Sequence, residues 1–432
     1  PLSSALERLF SEPMRRFAPR TDAELGSKIE GALRAAQAKA GKKGKGKKGK
    51  KGKKGKKGKP PKRPKDPTGD KPIEVLYRQL VFEGIVQKVD KVHLSEIIGS
   101  YEYLGAARDK LASMAPERLP DPSIAQVRSA ITEFCVLPTG SQAVKDHAPL
   151  NVGPPNPKTG APTSKCGTPV LVVGAPGTGK KMLVNAVCNE TGANLFNLTP
   201  SNTDGKYPGK KAYDMVHTVF KVAKALAPSV VWIDEVDSVF KSGKVKGATG
   251  EPPNRIAKHL TAVLTPKKGL GLLDPEDRVL IMGTSTTPYA TEKAKDVQAF
   301  KDFFAKILFA PLPNYPSRCM LWTGLLEKAG VAANAINFDE IQTLARVSAF
   351  YSNGSIASVV SRTLTQRRIE RLPRKPFQVS ELLGPLAKEE PISQATDEAL
   401  RGWYHSTVPA CAGADGGAAA AAPAKDAGKK KK

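Results

Sequence analysis

The feature that most constrains this chain is a glycine-rich run that ends in lysine, GAPGTGK, between Gly174 and Lys180. An apolar run typical of a buried parallel strand precedes it, and a helical pattern follows and ends at Gly192. In this context glycines let backbone N–H groups surround a phosphate, and the lysine reaches the β and γ phosphates. The sequence therefore predicts a nucleotide site formed by consecutive residues: Gly174, Ala175, Pro176, Gly177, Thr178, Gly179, Lys180, Lys181 and Met182.

A second motif lies about fifty residues further on, where the apolar run VVWI ends in Asp234 and Glu235. Together with a phosphate loop, this pattern predicts that Asp234 binds Mg²⁺ and that Glu235 polarises an attacking water. One residue departs from the pattern. Lys181 stands where a phosphate loop normally places Ser or Thr, and an ammonium group repels a cation rather than coordinating it. Any Mg²⁺ is therefore expected to rely on Asp234, the phosphates and water.

The order of apolar and periodic segments predicts an α/β fold with a doubly wound parallel sheet. We expect a three-layer α/β/α domain over 168–316 and a helical lid over 317–409. Upstream, the patterns predict a helical segment over 1–40, a basic disordered linker over 41–70, a helical region over 71–138 and a loop over 139–167. A disordered basic tail is expected over 410–432.

Charge is concentrated in the linker. The chain has 432 residues and a net charge of +27, and residues 41–65 contain 15 Lys and Arg and no acid. Such an arm is a solvated tether, or it attracts an acidic protein surface or a nucleic acid, and composition does not separate these alternatives. Five scattered cysteines suggest neither zinc nor disulfides, and no apolar run approaches a membrane span, so a soluble intracellular protein is expected. Because the chain opens on Pro1, we expect it to be part of a longer polypeptide.

Several motifs resemble the AAA ATPases of the spastin and katanin type, above all GKYPG at 205–209 and ALAPSVVWIDEVDSVF, which ends at Phe240. The chain is still more similar to the IQ and AAA domain-containing family of the nexin-dynein regulatory complex in motile cilia. That resemblance also covers the GKK of the phosphate loop, ETGANLFNL at 190–198 and the upstream lysine tract.

The resemblance implies an AAA-type domain with a lid, bound ATP or ADP, and a location on the axonemal doublet microtubule of the cilium. Implied partners are tubulin and other subunits of the regulatory complex, and tubulin is favoured over nucleic acid. The family's calmodulin-binding IQ motif is expected upstream of Pro1, because Ile341-Gln342 matches only the start of such a motif.

The resemblance also exposes departures from an active ATPase. Ser285 stands at the position of the family's sensor asparagine, where its hydroxyl is shorter. Phe300 and Phe303 occupy the positions assigned to trans-acting arginines, which are worth on the order of 10³ to 10⁵ in rate. Lys301 or Lys306 would substitute only in part, since a point charge lacks the bidentate fork. We therefore expect very slow or absent turnover.

Three functions follow from these observations. The first is a structural, nucleotide-binding subunit of the axoneme that helps to anchor the regulatory complex to doublet microtubules and to regulate dynein-driven motility. The second is an active ATPase that remodels microtubule-associated or dynein-linked partners, with Glu235 as base and Tyr207 as a pore-loop aromatic. Local packing of Tyr207 is the alternative to that pore role. The third and weakest is an ATPase bound to nucleic acid through the basic tract.

Overall fold

The structure is a computed structural model, and the residues it describes fall into segments separated by short gaps. These segments are 66–69, 71–101, 121–147, 152–155, 162–164, 168–242, 251–264, 272–274, 276–290, 293–332 and 337–407. The segments predicted for 1–40 and 410–432, and most of the linker predicted for 41–70, lie outside the described residues. Among the described residues, no helix has both the length and the apolar character required to cross a membrane.

A six-stranded sheet lies at the centre of the fold, with strand order β1-β5-β6-β7-β4-β8. Its strands are β1 (Val86–Gln87), β4 (Thr168–Gly174), β5 (Asn194–Asn197), β6 (Ser229–Ile233), β7 (Val279–Ser285) and β8 (Lys306–Ala310). All neighbours from β5 to β8 pair in parallel, as the sequence predicts, and β1 adds an antiparallel edge.

Helices cover both faces of this sheet, because its strands are apolar on both sides. In β4, Leu171 and Val173 point into one buried cluster, and Val170 and Val172 point into the other. The α-helices of five or more residues in this part of the chain are α1 (Ile73–Phe82), α2 (Ile124–Ile131), α3 (Gln142–His147), α4 (Lys180–Thr191), α5 (Ala212–Ala225), α6 (Val236–Phe240), α7 (Ala257–Leu264) and α8 (Ala294–Phe303). The predicted three-layer α/β/α architecture is confirmed.

Helices form a lid after β8, around a separate apolar cluster that contains Trp322. They are α9 (Tyr315–Lys328), α10 (Phe338–Val347), α11 (Asn353–Thr363) and α12 (Ser380–Leu386). A further helix, α13 (Gln394–Thr407), returns to the main domain, where Leu400 joins the core beside the sheet. Ile341 is buried in the lid cluster, so the partial IQ match belongs to the core of α10.

Three sequence expectations need correction. The region 71–138, expected to be helical, contains β1, whose two residues are too few for a periodic signal. The predicted loop over 139–167 contains α3 and a hairpin of β2 (Val152–Pro155) and β3 (Pro162–Ser164). The hairpin was not predicted, because proline and glycine in a sequence argue against a strand. The linker predicted to be disordered over 41–70 is ordered at its end, because Asp66 forms an ion pair with Lys221 of α5 at 2.9 Å. The domain boundaries themselves stay predictions.

Candidate nucleotide-binding site

The glycine-rich run forms a tight turn between β4 and α4. Gly177 and Gly179 have φ of +78° and +90°, which side chains other than glycine rarely adopt. Gly174 is needed for a different reason. A Cβ there would lie 2.5 Å from the carbonyl oxygen of Ala310 on the neighbouring strand. The sequence therefore encodes both the turn and its close packing against β8.

Lys180 begins α4 and is buried under this loop. Its Nζ donates to the carbonyl oxygens of Gly174 and Ala175, both at 2.8 Å. Burial lowers the pKa of Lys180 to about 8, although the charge of Asp234 opposes that shift. The ammonium thus rests on backbone acceptors that a phosphate oxygen could replace.

The lid contacts the same loop through the start of α11. The backbone N–H of Gly354 donates to the carbonyl of Gly177 at 2.9 Å. Ser352 packs so closely that a Cβ on Gly177 would lie 2.2 Å from its Oγ. The lid and the loop therefore meet with no space for an extra methyl group.

Between them lies a cavity of about 730 Å³, within the usual range for small-molecule sites. The loop residues Pro176 to Met182 form one wall together with Asp234 and Thr286. The rest of the lining combines apolar side chains with the Glu96–Lys328 ion pair and comes from the segment 95–98 and from the lid: Ser95, Glu96, Ile97, Ile98, Leu321, Gly324, Leu325, Lys328, Asn353, Gly354 and Ala357. One wall thus offers positive charge and backbone N–H groups, and the other offers apolar surface suited to a flat base.

Asp234 follows β6 and is fixed by three neighbours. Its Oδ1 accepts from the hydroxyl of Thr284 at 2.6 Å and from the N–H of Glu235 at 3.0 Å. The hydroxyl of Thr199 accepts from the N–H of Asp234 at 3.1 Å. Thr284 in turn accepts from Nε1 of Trp232 at 3.0 Å. Asp234 therefore enters the cavity in a set orientation.

Glu235 and Ser285 are placed differently from Asp234. Glu235 is exposed with φ of +48°, at the start of α6, and does not line the cavity. Ser285 is fully buried and donates to Oδ1 of Asp237 at 2.7 Å. Side chains alternate along a strand, so Ser285 lies on the opposite face of β7 from Thr284. The sensor expectation for Ser285 is not supported by this geometry. Thr286, which follows β7, lines the cavity, and Thr284 contacts Asp234 there.

Lys181 lines the cavity, and its Nζ lies 5.9 Å from the ring centroid of Trp232. Where a magnesium site would present a hydroxyl oxygen, this chain presents an ammonium group. One oxygen of Asp234 already accepts two hydrogen bonds. This set of groups does not fit a magnesium ion held in the usual way, and metal binding by Asp234 stays a prediction.

Phe300 and Phe303, at the positions assigned to trans-acting arginines, are 2% and 3% exposed. Both pack on Phe240, with ring centroids at 5.8 and 5.1 Å. The side chains at both positions point into the core beside the sheet. Of the two lysines considered as substitutes, Lys306 is exposed, and its Nζ lies 4.7 Å from the ring centroid of Phe134.

Tyr207 is half-buried and packs against the core, and its hydroxyl accepts from Nε2 of Gln79 at 2.8 Å. Burial and the neighbouring Glu83 raise its pKa. Arg255 fixes the same loop by donating to the carbonyl oxygens of Thr203, Lys206 and Tyr207. This geometry favours local packing over the pore-loop alternative.

Comparison with known proteins gives the family context. Residues 170–301 match the family model "ATPase family associated with various cellular activities (AAA)". Dynein regulatory complex protein 11 of Mus musculus is 36% identical over 342 residues, which is 78% of this chain and 36% of the mouse protein. Spastin of Xenopus tropicalis is 32% identical over 191 residues, which is 44% of this chain and 29% of that protein. The chain thus spans about a third of the length of these relatives.

A solved structure supports the fold. The FIGL-1 AAA domain in complex with ADP has a TM-score of 0.51 and 20% sequence identity, over 79% of this chain and 99% of that one. The resemblance drawn from the sequence is confirmed by these comparisons. Residues 170–301 thus match the AAA family model, in a chain that is similar over most of its length to Dynein regulatory complex protein 11.

Proposed function

We propose that this chain is a structural, nucleotide-binding subunit of the ciliary axoneme, with an AAA domain that holds ATP or ADP and hydrolyses it weakly or not at all. One combination of observations supports this most directly. The cavity between loop and lid keeps Lys180 and Asp234, whereas Phe300 and Phe303 are sealed in the core. A site of this kind can bind a polyphosphate but lacks the arginines that stabilise its transferring group.

Bound nucleotide would then act as a structural ligand. It would touch the phosphate loop, the segment 95–98 and the lid at once, because all three line the cavity. A ligand that binds only the folded state stabilises it by about 4 kcal/mol at a thousandfold excess over its Kd. Occupancy would therefore hold the lid on the domain.

The first test is to release and identify the nucleotide that copurifies with the full chain, using chromatography after denaturation. We expect ADP or ATP in the wild type and a large loss in Lys180→Ala, with Lys388→Ala as a matched control on the exposed surface. A wild type that contains no nucleotide and binds none when it is added would contradict the proposal.

The axonemal location and the partners rest on similarity to Dynein regulatory complex protein 11. We propose that this chain, too, works within a regulatory complex on doublet microtubules, with residues 41–65 attracting acidic tubulin tails. Cosedimentation with microtubules should fall when residues 41–65 are deleted, when the tubulin tails are cleaved, or when salt is raised. Equal or tighter binding to random duplex DNA would favour the nucleic-acid alternative.

The active ATPase remains the second candidate, and the observation in its favour is the pairing of Asp234 with an exposed Glu235 at the end of β6. Steady phosphate release that is lost in Glu235→Gln would support it. Calmodulin binding, which the family resemblance places upstream of Pro1, stays a proposal for the longer polypeptide.

A further inference from the structure

Two adjacent lysines line the nucleotide cavity, and the structure holds them in different ways. Lys180 is buried, and its ammonium donates to two loop carbonyls. Lys181 is exposed and lies over the ring of Trp232 at 5.9 Å, within the range of a cation–π contact. A phosphate loop normally contributes one ammonium group, and this loop contributes two. The second, on Lys181, is held by the ring of Trp232.

The residue that holds Lys181, Trp232, is also linked by hydrogen bonds to Asp234. Trp232 lies in β6, and Asp234 is the residue that directly follows this strand. Trp232 donates from Nε1 to the hydroxyl of Thr284 at 3.0 Å, and Thr284 donates to Asp234 at 2.6 Å. Lys181 and Asp234 thus line the same cavity, and both are linked to Trp232, Lys181 through the ring and Asp234 through Thr284.

We infer that the ammonium of Lys181 takes the place of the divalent cation, so that this domain binds a nucleoside di- or triphosphate without metal. The inference rests on the proposed nucleotide binding and names its mode. Lys181 supplies the positive charge that a metal would otherwise bring to the phosphate oxygens. Asp234 balances that charge as a counter-ion, and a divalent ion is repelled from the same space.

This arrangement also fits slow turnover. A lysine is a flexible point charge with three donors, and it does not hold oxygens in the fixed geometry of a metal ion. The second lysine would therefore favour retention of nucleotide over its cleavage, which is what a structural ligand requires.

The test is the Kd of a fluorescent ADP analogue for the full chain, measured once with Mg²⁺ and once with EDTA. For the wild type we expect the two Kd values to agree within about twofold. The loss of one hydrogen bond to a charged group would change the Kd by more than that. Lys181→Thr, which restores a hydroxyl, should bind about tenfold more weakly in EDTA and recover with Mg²⁺. Lys388→Thr is the matched control and should behave as the wild type.

A second measurement uses Mn²⁺ as a spectroscopic probe in the presence of ADP. We expect no nucleotide-dependent Mn²⁺ binding in the wild type and a bound signal in Lys181→Thr. Wild-type binding that requires Mg²⁺, or a bound Mn²⁺ signal in the wild type, would overturn the inference and leave nucleotide binding intact. Failure of the wild type to bind the analogue in either buffer would overturn the proposed nucleotide binding as well. The experiment therefore distinguishes failure of the metal-free binding mode from failure of nucleotide binding itself.

Discussion

The backbone N–H of Gly354, in the first turn of α11, donates to the carbonyl of Gly177 in the phosphate loop at 2.9 Å. This bond joins the lid directly to the loop that would hold phosphate. The conformation of the loop and the position of the lid are therefore coupled, and a ligand in the cavity between them acts on both.

Gly177→Ala tests this coupling. The left-handed backbone at this position costs a residue with a Cβ about 1–2 kcal/mol, and the new methyl group would also meet Ser352. We expect a loss of stability beyond the strain alone, together with weaker nucleotide binding, measured by urea unfolding and by titration. Gly192→Ala is the control, because it has φ of +66° with nothing within 4 Å of the new Cβ. Equal losses of stability in the two variants would argue against close packing of the lid on Gly177.

Lys180 should make nucleotide binding depend on pH. Burial lowers its pKa from 10.5 to about 8, so ligand-free protein loses this charge near pH 8, and a bound phosphate would restore it. Binding should therefore take up a proton and weaken as pH rises from 8 towards 10. Calorimetry in buffers of different ionisation enthalpy measures that proton. Lys180→Met should bind weakly and show no such uptake.

The same pKa shift predicts how the free energy of unfolding of the nucleotide-free protein changes with pH. Between about pH 8 and 10.5 the unfolded chain holds a proton on Lys180 that the folded chain has lost. Stability contributed by this group therefore rises with pH over that range. Urea unfolding of nucleotide-free protein should show this slope in the wild type relative to Lys180→Met, and identical pH profiles would contradict the assignment.

Much of the sheet was predictable because its strands are apolar on both faces and its loops are marked by glycine and proline. Helix α4 follows the glycine-rich run and ends at Thr191, directly before Gly192, as the sequence predicts. β1 could not be predicted, since two residues carry no periodicity and their pairing depends on β5, more than a hundred residues away.

Phe300→Ala should destabilise the fold strongly, because the ring packs among other aromatic side chains at the core. Removing a buried Phe typically costs about 3–5 kcal/mol. Urea unfolding measures the loss, and Phe82→Ala is the control, since Phe82 is 94% exposed and should change stability by less than about 0.5 kcal/mol. A mild effect at Phe300 would reopen a role for this position at a subunit surface.

Arg255→Lys should loosen the loop that contains Tyr207. A lysine keeps the charge but loses the planar fork that donates to three carbonyl oxygens. We expect faster hydrogen exchange and proteolysis at 203–209, with little change around the phosphate loop. Unchanged protection at 203–209 would mean that packing of Tyr207 alone holds this loop.

The site was predictable only in part, for a physical reason. The loop residues and Asp234 are adjacent to their strands in sequence, so a motif reveals them. The apolar wall at 95–98 and in the lid is assembled by tertiary packing, and no local pattern marks Ile97 or Leu325 as cavity residues. The resemblance placed Ser285 at the sensor position, but no local pattern shows that its hydroxyl donates to Asp237, which lies only two residues after Glu235.

The most direct test of the central claim is the fate of ATP bound to the full chain in a single-turnover experiment. Protein in excess is mixed with γ-labelled ATP, and bound and released species are separated over time, with Glu235→Gln in parallel. The account predicts that ATP binds and dissociates intact, with the same slow background in both proteins. Conversion of the bound ATP to ADP and phosphate at a rate that Glu235→Gln abolishes would contradict it.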